Sequence, residues 1–318
     1  MNAPPNREGL WQVHVKVPAT TANLGPGFDC LGLALDLWNE AYFSLEGEEI
    51  RLIYQGEGQN IPLDDRNLVL QAMRFFCDTR GLTLPRGLVI RCHNHIPVGS
   101  GLGSSASAVL IGLLGAAQLL NSPLDDKEAL NLAARMEGHA DNVAAALFGG
   151  LVIVATGKGN WLVQRIEIPP MQVAVALPAI DLSTHTARAI LPGEVSMRDA
   201  TFNMGRAMLV VEALRSSNLE LLNQAMDDHL HTPYRLPLIP GAQAALEAAY
   251  QAGASAVTLS GAGPSLIAFC AGDTKTVASA MVSAFQSKGV TARAFPLQTS
   301  STGAAVQPHP LTKGLTPD

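Results

Sequence analysis

From Pro97 to Ser107 the chain reads PVGSGLGSSAS, three glycines and four serines set between a strand-like run and a long apolar stretch. That order predicts a strand, a tight loop and a helix, because small residues allow reversals that a strand or helix interior does not. The composition also suits phosphate. Glycines let backbone N–H groups approach a polyphosphate closely, serines add hydroxyl donors or a metal ligand, and the following helix aims the positive end of its dipole at the anion. A nucleotide is the expected ligand.

The rest of the chain narrows the class. With 318 residues, 47% apolar and 15% charged, it can bury a sizeable core in two domains. A net charge of −6 leaves nucleic acid without an electrostatic footprint, so an anionic ligand must be held by local groups. The start, MNAPPNREGLWQ, lacks the apolar core of a signal peptide, and the apolar stretch from Ala108 to Leu120 is too short to cross a bilayer. Cys30, Cys77, Cys92 and Cys270 show no CxxC spacing, which fits reduced thiols in a cytoplasmic protein without disulfides.

Trp11, Val13, Val15 and Val17 alternate with polar residues and predict a strand that ends at Pro18; Ala19 to Gly32 then reads as a loop. Helices are expected over Asn67 to Arg80, Ser105 to Leu120, Pro123 to Met136 and Asn142 to Leu147, with strands at Gly87 to Cys92 and Leu151 to Ala155. Residues 1–160 form the expected first domain and 161–298 the second, which begins with strands at Leu162 to Ile168 and Val173 to Leu177. Its helix from Arg198 to Arg215 carries Met204, Met208, Leu209 and Val211 at core-like spacing. The Ser/Thr/Gly/Pro-rich stretch 299–318 reads as a flexible tail.

The two common nucleotide fingerprints are absent: no GxGxxG follows the first strand, and the central loop has no lysine. A Mg²⁺ ion accompanying the phosphates needs hard oxygen ligands, and Glu137, late on its helix, is the favoured carboxylate, with Ser104 or Ser105 beside it. Cys92, His93 and His95 do not suggest zinc, since strand alternation sends Cys92 to the face opposite both histidines; His229 and His231 are read likewise as structural.

Four segments in order, VKVPATTANLGPGFDCLG, PVGSGLGSSAS, EGHADNVAAALFGG and LSGAGPS, resemble the GHMP kinase superfamily over nearly the whole chain, and the first and third resemble its homoserine-phosphorylating members. The resemblance implies an α+β fold with an N-terminal domain like ribosomal S5 domain 2 and a ferredoxin-like C-terminal domain. It implies ATP and Mg²⁺, with L-homoserine as acceptor and a homodimer as one possible assembly. ATP falls to Pro97, Val98, Gly99, Ser100, Gly101, Leu102, Gly103, Ser104, Ser105, Ala106 and Ser107, with Asn67 near adenine and Ser104 and Glu137 at the metal. The amino acid falls to Asn23, Asp29, His139, Asn142, Thr184, Arg188 and Arg235.

Asp29 would meet the ammonium, and the planar forks of Arg188 and Arg235 would meet the carboxylate. Asn23, Glu137, Asn142 and Arg188 are expected nearest the reacting atoms, with Asp141 as the fallback metal ligand. The rival roles are ordinary ones: a turn for Asp29, surface salt bridges for the arginines, helix caps for Asn67 and Asp141. The resemblance assigns no general base, and phosphoryl transfer can proceed by alignment and charge stabilisation. A kinase for a mevalonate-like or sugar alcohol, and a binding protein without turnover, are the rival functions.

Overall fold

The computed structural model describes residues 12–58 and 60–308. Trp11 and residues 309–318 of the expected tail lie outside them. The first half runs β1 (Val13–Ala22), β2 (Leu31–Leu45), β3 (Arg51–Gly56), α1 (Leu68–Arg80), β4 (Leu88–Asn94), α2 (Ser104–Leu119), α3 (Asp126–Glu137), α4 (Asp141–Phe148), β5 (Leu151–Thr156) and β6 (Trp161–Ile166). The second runs β7 (Gln172–Pro178), α5 (Thr184–Ala189), α6 (Met197–Ser216), α7 (Leu219–Ala225), α8 (Thr232–Arg235), α9 (Ala242–Gln251), β8 (Ala254–Leu259), β9 (Leu266–Cys270), α10 (Thr274–Ser287), β10 (Ala292–Gln298) and β11 (Ala305–Pro308).

A seven-stranded sheet orders its strands β11-β1-β2-β4-β3, with β5 joined to β2 and β6 to β5; a four-stranded sheet is ordered β10-β7-β9-β8. Val13, Val15 and Val17 of β1 sit on the core face with α1 to α4. A second apolar cluster crosses the chain's two halves: Leu24, Leu33, Ile96 and Leu102 from one meet Val173, Val175, Leu214 and Phe269 from the other. The loops around residues 24 and 102 therefore rest on a shared core, and burying each leucine contributes roughly 1.5–3 kcal/mol.

Three expectations change. β1 continues through Pro18 to Ala22 because a bulge at Pro18/Ala19 absorbs the missing N–H. The boundary expected at 160 falls inside the β5–β6 hairpin, which pairs Leu151 with Ile166 and Thr156 with Trp161. Gly157 and Gly159 form that turn, and the chain crosses to the other sheet only at residues 167–171. The stretch 299–318 is not free along its first part: Ser300 N–H donates to the Ala34 carbonyl, and β11 pairs with β1, Val306 opposite Val15. An unpaired sheet edge accepts backbone of almost any composition.

The α6 methionines also depart from expectation. Met204, Met208 and Leu209 are 57%, 68% and 45% exposed, while Val211 packs partly against the shared core. Periodicity identifies an apolar face without saying whether anything covers it.

Candidate active site

The glycine-rich loop joins β4 to α2 at the seam between the two sheets. Ser100 Oγ donates to the Pro97 carbonyl at 2.7 Å, and the Leu102 carbonyl accepts the Thr20 N–H at 3.0 Å. The turn Ser260 to Ser265 braces it from the second half: Ser260 Oγ donates to the Gly101 carbonyl at 2.8 Å, and Ser265 N–H to that of Ser100 at 3.3 Å. Gly101 has φ +77° and lies against the carbonyls of Ser260 and Gly263, and Gly103, φ +71°, lies against the Thr20 side chain, so a Cβ at either would strain backbone and collide. No side chain caps α2, whose N-terminal residue follows Gly103. Its first-turn N–H groups are thus donors for an anion.

A cavity of about 280 Å³ opens above that helix end, lined by the loop, by Asn23, Asp29, Glu137, His139, Asp141, Asn142, Thr184, Arg188 and Arg235, and by Gly261 to Gly263. A more apolar cavity of about 260 Å³ adjoins it through Gly99, Ser104 and Ser105, walled by Tyr54, Pro62, Asn67 and Val98. The side chains of Leu102 and Ser107 are buried and line neither; Pro97 lines a third hollow behind the loop. Ser100 and Ala106 edge the first cavity. Asn67 is the cap of α1: its Oδ1 accepts the N–H groups of Val69 and Leu70 at 3.1 and 3.3 Å while its Nδ2 donates to the Pro62 carbonyl at 2.8 Å. It shapes the second cavity's wall.

Ser105, not Ser104, touches Glu137, donating its hydroxyl to Oε1 at 2.6 Å. Burial pushes the Glu137 carboxyl above its usual range, with the Ser105 hydrogen bond and His139 opposing. A half-buried carboxylate of this kind gains from a cation at its side. Among the described residues no group of three or more His, Cys, Asp or Glu could hold a metal ion. The two adjacent oxygens of Glu137 and Ser105 nonetheless suit Mg²⁺, which takes one or two protein ligands and fills its octahedron with phosphate and water.

His139 Nδ1 donates to Asp141 Oδ1 at 2.9 Å. Burial lowers the affinity of His139 for a proton, but the Asp141 hydrogen bond and the charges of Asp141 and Glu137 outweigh it and raise its pKa overall. Asp141 caps no helix from outside; it opens α4 and also accepts the Asn142 N–H at 2.8 Å. Asn142 Oδ1 accepts the Thr20 hydroxyl at 2.7 Å, so its amide N–H₂ is the end left for the cavity. Thr20 lay hidden in the PATTAN stretch, where nothing distinguishes it from its neighbour Thr21.

On the opposite wall, Asn23 and Asp29 adopt φ of 69° and 54°, a left-handed geometry that Asn and Asp tolerate best. Asn23 is largely committed to the loop: Oδ1 accepts the Asp29 N–H at 2.9 Å and Nδ2 donates to the Gly261 carbonyl at 2.8 Å. Asp29 and Arg188, expected to act on opposite ends of a ligand, pair with each other bidentately at 2.8 and 2.7 Å. That hydrogen bonding raises the Arg188 pKa. Thr184 stands one turn before Arg188 on α5.

Arg235 is no surface salt bridge. Only 1% exposed, it donates Nε to the Ala187 carbonyl at 2.9 Å and Nη1 to His231 Nδ1 at 3.3 Å, and among the described residues no carboxylate lies within ion-pair distance of it. Burial, then the charge of Arg188, lowers its pKa to about 10. A buried cation aimed into a cavity without an acidic partner is costly unless an anion arrives.

An uncapped helix end beside an apolar hollow, with a charged pocket across from it, is a layout that suits a small-molecule kinase. The family profiles agree: GHMP kinases N terminal domain matches residues 67–150, and GHMP kinases C terminal matches residues 210–291. A homoserine kinase from Moorella thermoacetica is 45% identical, covering 92% of this chain and 99% of its own length. The crystal structure of homoserine kinase from Cytophaga hutchinsonii superposes with a TM-score of 0.82 at 30% identity, covering 93% of this chain and 97% of that one. A mevalonate kinase from L. major, in complex with R-mevalonate, shares the fold at TM-score 0.65 and 16% identity, covering 91% of this chain and 95% of that one. The chain belongs to the GHMP kinase family, on its homoserine kinase branch.

Proposed function

We infer that this chain transfers the γ-phosphoryl group of ATP to the hydroxyl of L-homoserine, giving O-phosphohomoserine on the route to threonine. Supporting the reading are its homoserine kinase relatives and the charge pattern of the first cavity. The carrying observation is Arg235, a buried cation facing the cavity with no carboxylate of the described residues within ion-pair distance, close to the half-exposed Asp29–Arg188 pair. A zwitterion matches that layout: its carboxylate meets Arg235 and Arg188, its ammonium meets Asp29, and its hydroxyl extends toward α2.

In this reading the triphosphate lies along the N–H groups of the loop and α2, and adenine occupies the apolar hollow beside Tyr54. Glu137 and Ser105 would hold Mg²⁺, which would supply charge neutralisation at the phosphates. Asn142, fixed by Thr20, presents its N–H₂ toward the reacting oxygens. His139 stays committed to Asp141 and orients that carboxylate. Acceleration comes from alignment and from donors placed around the spreading negative charge. Cytoplasmic action accords with four free cysteines. No helix among the described residues is long and apolar enough to cross a membrane.

An ADP-release assay over L-homoserine, L-serine, L-threonine and mevalonate, with and without Mg²⁺, tests this. Turnover is expected on L-homoserine with Mg²⁺. Preference for mevalonate, or ATP binding with no ADP release on any acceptor, would overturn it.

A further inference from the structure

Sequence reasoning set His231 aside, yet the imidazole is wholly buried against the cavity's charged wall. Its Nε2 lies 2.8 Å from the Gly25 carbonyl and 3.3 Å from Asp228 Oδ2. Both oxygens accept, so Nε2 carries the proton. The other ring nitrogen is then a bare lone pair, and it is this atom, Nδ1, that faces Arg235 Nη1 at 3.3 Å. A proton on Nδ1 would set N–H against N–H.

The ring is held from every side. Asp228 accepts from Asn203 Nδ2 at 2.7 Å and from the N–H groups of Leu230, His231 and Thr232 at 2.8, 3.0 and 2.6 Å, which locks the turn leading into α8. Phe28 stacks on the imidazole at 5.3 Å between centroids and lies 5.1 Å from the Arg235 guanidinium. Gly25 and Phe28 belong to the same loop as Asp29. One imidazole thereby joins the loop that carries Asp29 to the arginine opposite it.

We propose that His231, as the neutral imidazole protonated on Nε2, is the positioning residue that aims Arg235 at the acceptor's carboxylate and so sets the site's preference for amino alcohols bearing an α-carboxylate. This rests on the reading of the cavity as an amino-acid site. With Nε held by the Ala187 carbonyl and Nη1 by His231, the guanidinium cannot rotate, and its remaining N–H groups are the ones presented to a ligand.

The test compares kcat/KM for L-homoserine with that for 3-amino-1-propanol, the same molecule without its carboxylate. It uses wild type, His231→Gln and His231→Asn. Glutamine can still donate toward Gly25 but places no acceptor where Nδ1 stood; asparagine keeps an oxygen there. Loss of one hydrogen bond to a charged group predicts that His231→Gln lowers the preference for homoserine about tenfold, through KM. ATP KM and kcat stay near wild type, and His231→Asn retains most of the preference. An unchanged preference in His231→Gln, or equal losses on both acceptors with a raised ATP KM, would overturn the proposal. A wild type that does not distinguish the two acceptors would instead sink the amino-acid reading itself. Independent of any variant, ¹⁵N NMR of the wild-type protein should report His231 as the Nε2–H tautomer, and an Nδ1–H signal would refute the assignment.

Discussion

The two sides of the cavity hold charge by different means. The side proposed for phosphate uses backbone: an uncapped helix end and glycines braced by the Ser260 turn, with Glu137 and Ser105 as a polar side-chain pair. The side proposed for the amino acid uses charged side chains brought from distant segments, Asp29 to Arg188 across 159 positions and Gly25 to His231 across 206. Short of a substitution to proline, a point mutation displaces a backbone donor and does not delete it. Side-chain charges can be removed singly, and removing Asp29 or Arg188 leaves the other uncompensated.

The contrast is easiest to break at Glu137, the carboxylate that accepts the Ser105 hydroxyl. Glu137→Gln should lower kcat by about 100- to 1000-fold and raise the Mg²⁺ concentration needed, in line with losing an electrostatic group at the transferring phosphoryl. Steady-state rates over a Mg²⁺ titration check this, and wild-type kinetics would reassign the metal ligand. On the other side, Arg235→Leu should raise homoserine KM by about a hundredfold with ATP KM within twofold, as expected for truncating one partner of a buried charge pair. Comparable changes in both constants would mean that the two sides are not separable.

Gly101→Ala tests the backbone side directly. The positive φ and the carbonyls of Ser260 and Gly263 leave no room for a methyl group. ATP KM should rise about tenfold and stability fall by roughly 1–3 kcal/mol, measured by nucleotide titration and urea unfolding. The smallest effect concerns pH. The Glu137 carboxyl pKa is raised in the folded protein, so the folded state binds its proton more tightly than the unfolded chain and is favoured at low pH. That advantage is lost as pH rises through the folded value. Glu137→Gln, which never ionises, should therefore melt higher than wild type at neutral pH, and the gap should close as pH drops below the ordinary carboxylate range. A gap that widened on acidification would contradict the burial of that group.

Local chemistry made much of this readable. Asn67 and Gly81 punctuate α1 as its N-cap and left-handed C-cap, and Asp125 and Gly138 do the same for α3. Such signals act within a few residues, where hydrogen-bonding needs are settled by neighbours. The pair Gly157 and Gly159 misled because a turn inside a sheet and a linker between domains use the same residues. Residues 299–308 misled because edge pairing draws on backbone groups, which every sequence supplies.

The site divides along the same line. PVGSGLGSSAS reads as a tight loop by composition, because close backbone approach demands glycine wherever it occurs. Motif resemblance reached Asp29, Arg188 and Arg235, but not that the first two pair, that Arg235 is buried with no ion-pair partner among the described residues, or that His231 hydrogen-bonds it. Sequence alone thus decided where small residues must stand and which segments curl or extend, since those choices depend on sterics between adjacent residues. Only tertiary structure decided which charges face one another and which nitrogen of an imidazole keeps its proton, since those depend on groups that folding brings within about 3 Å from opposite ends of the chain.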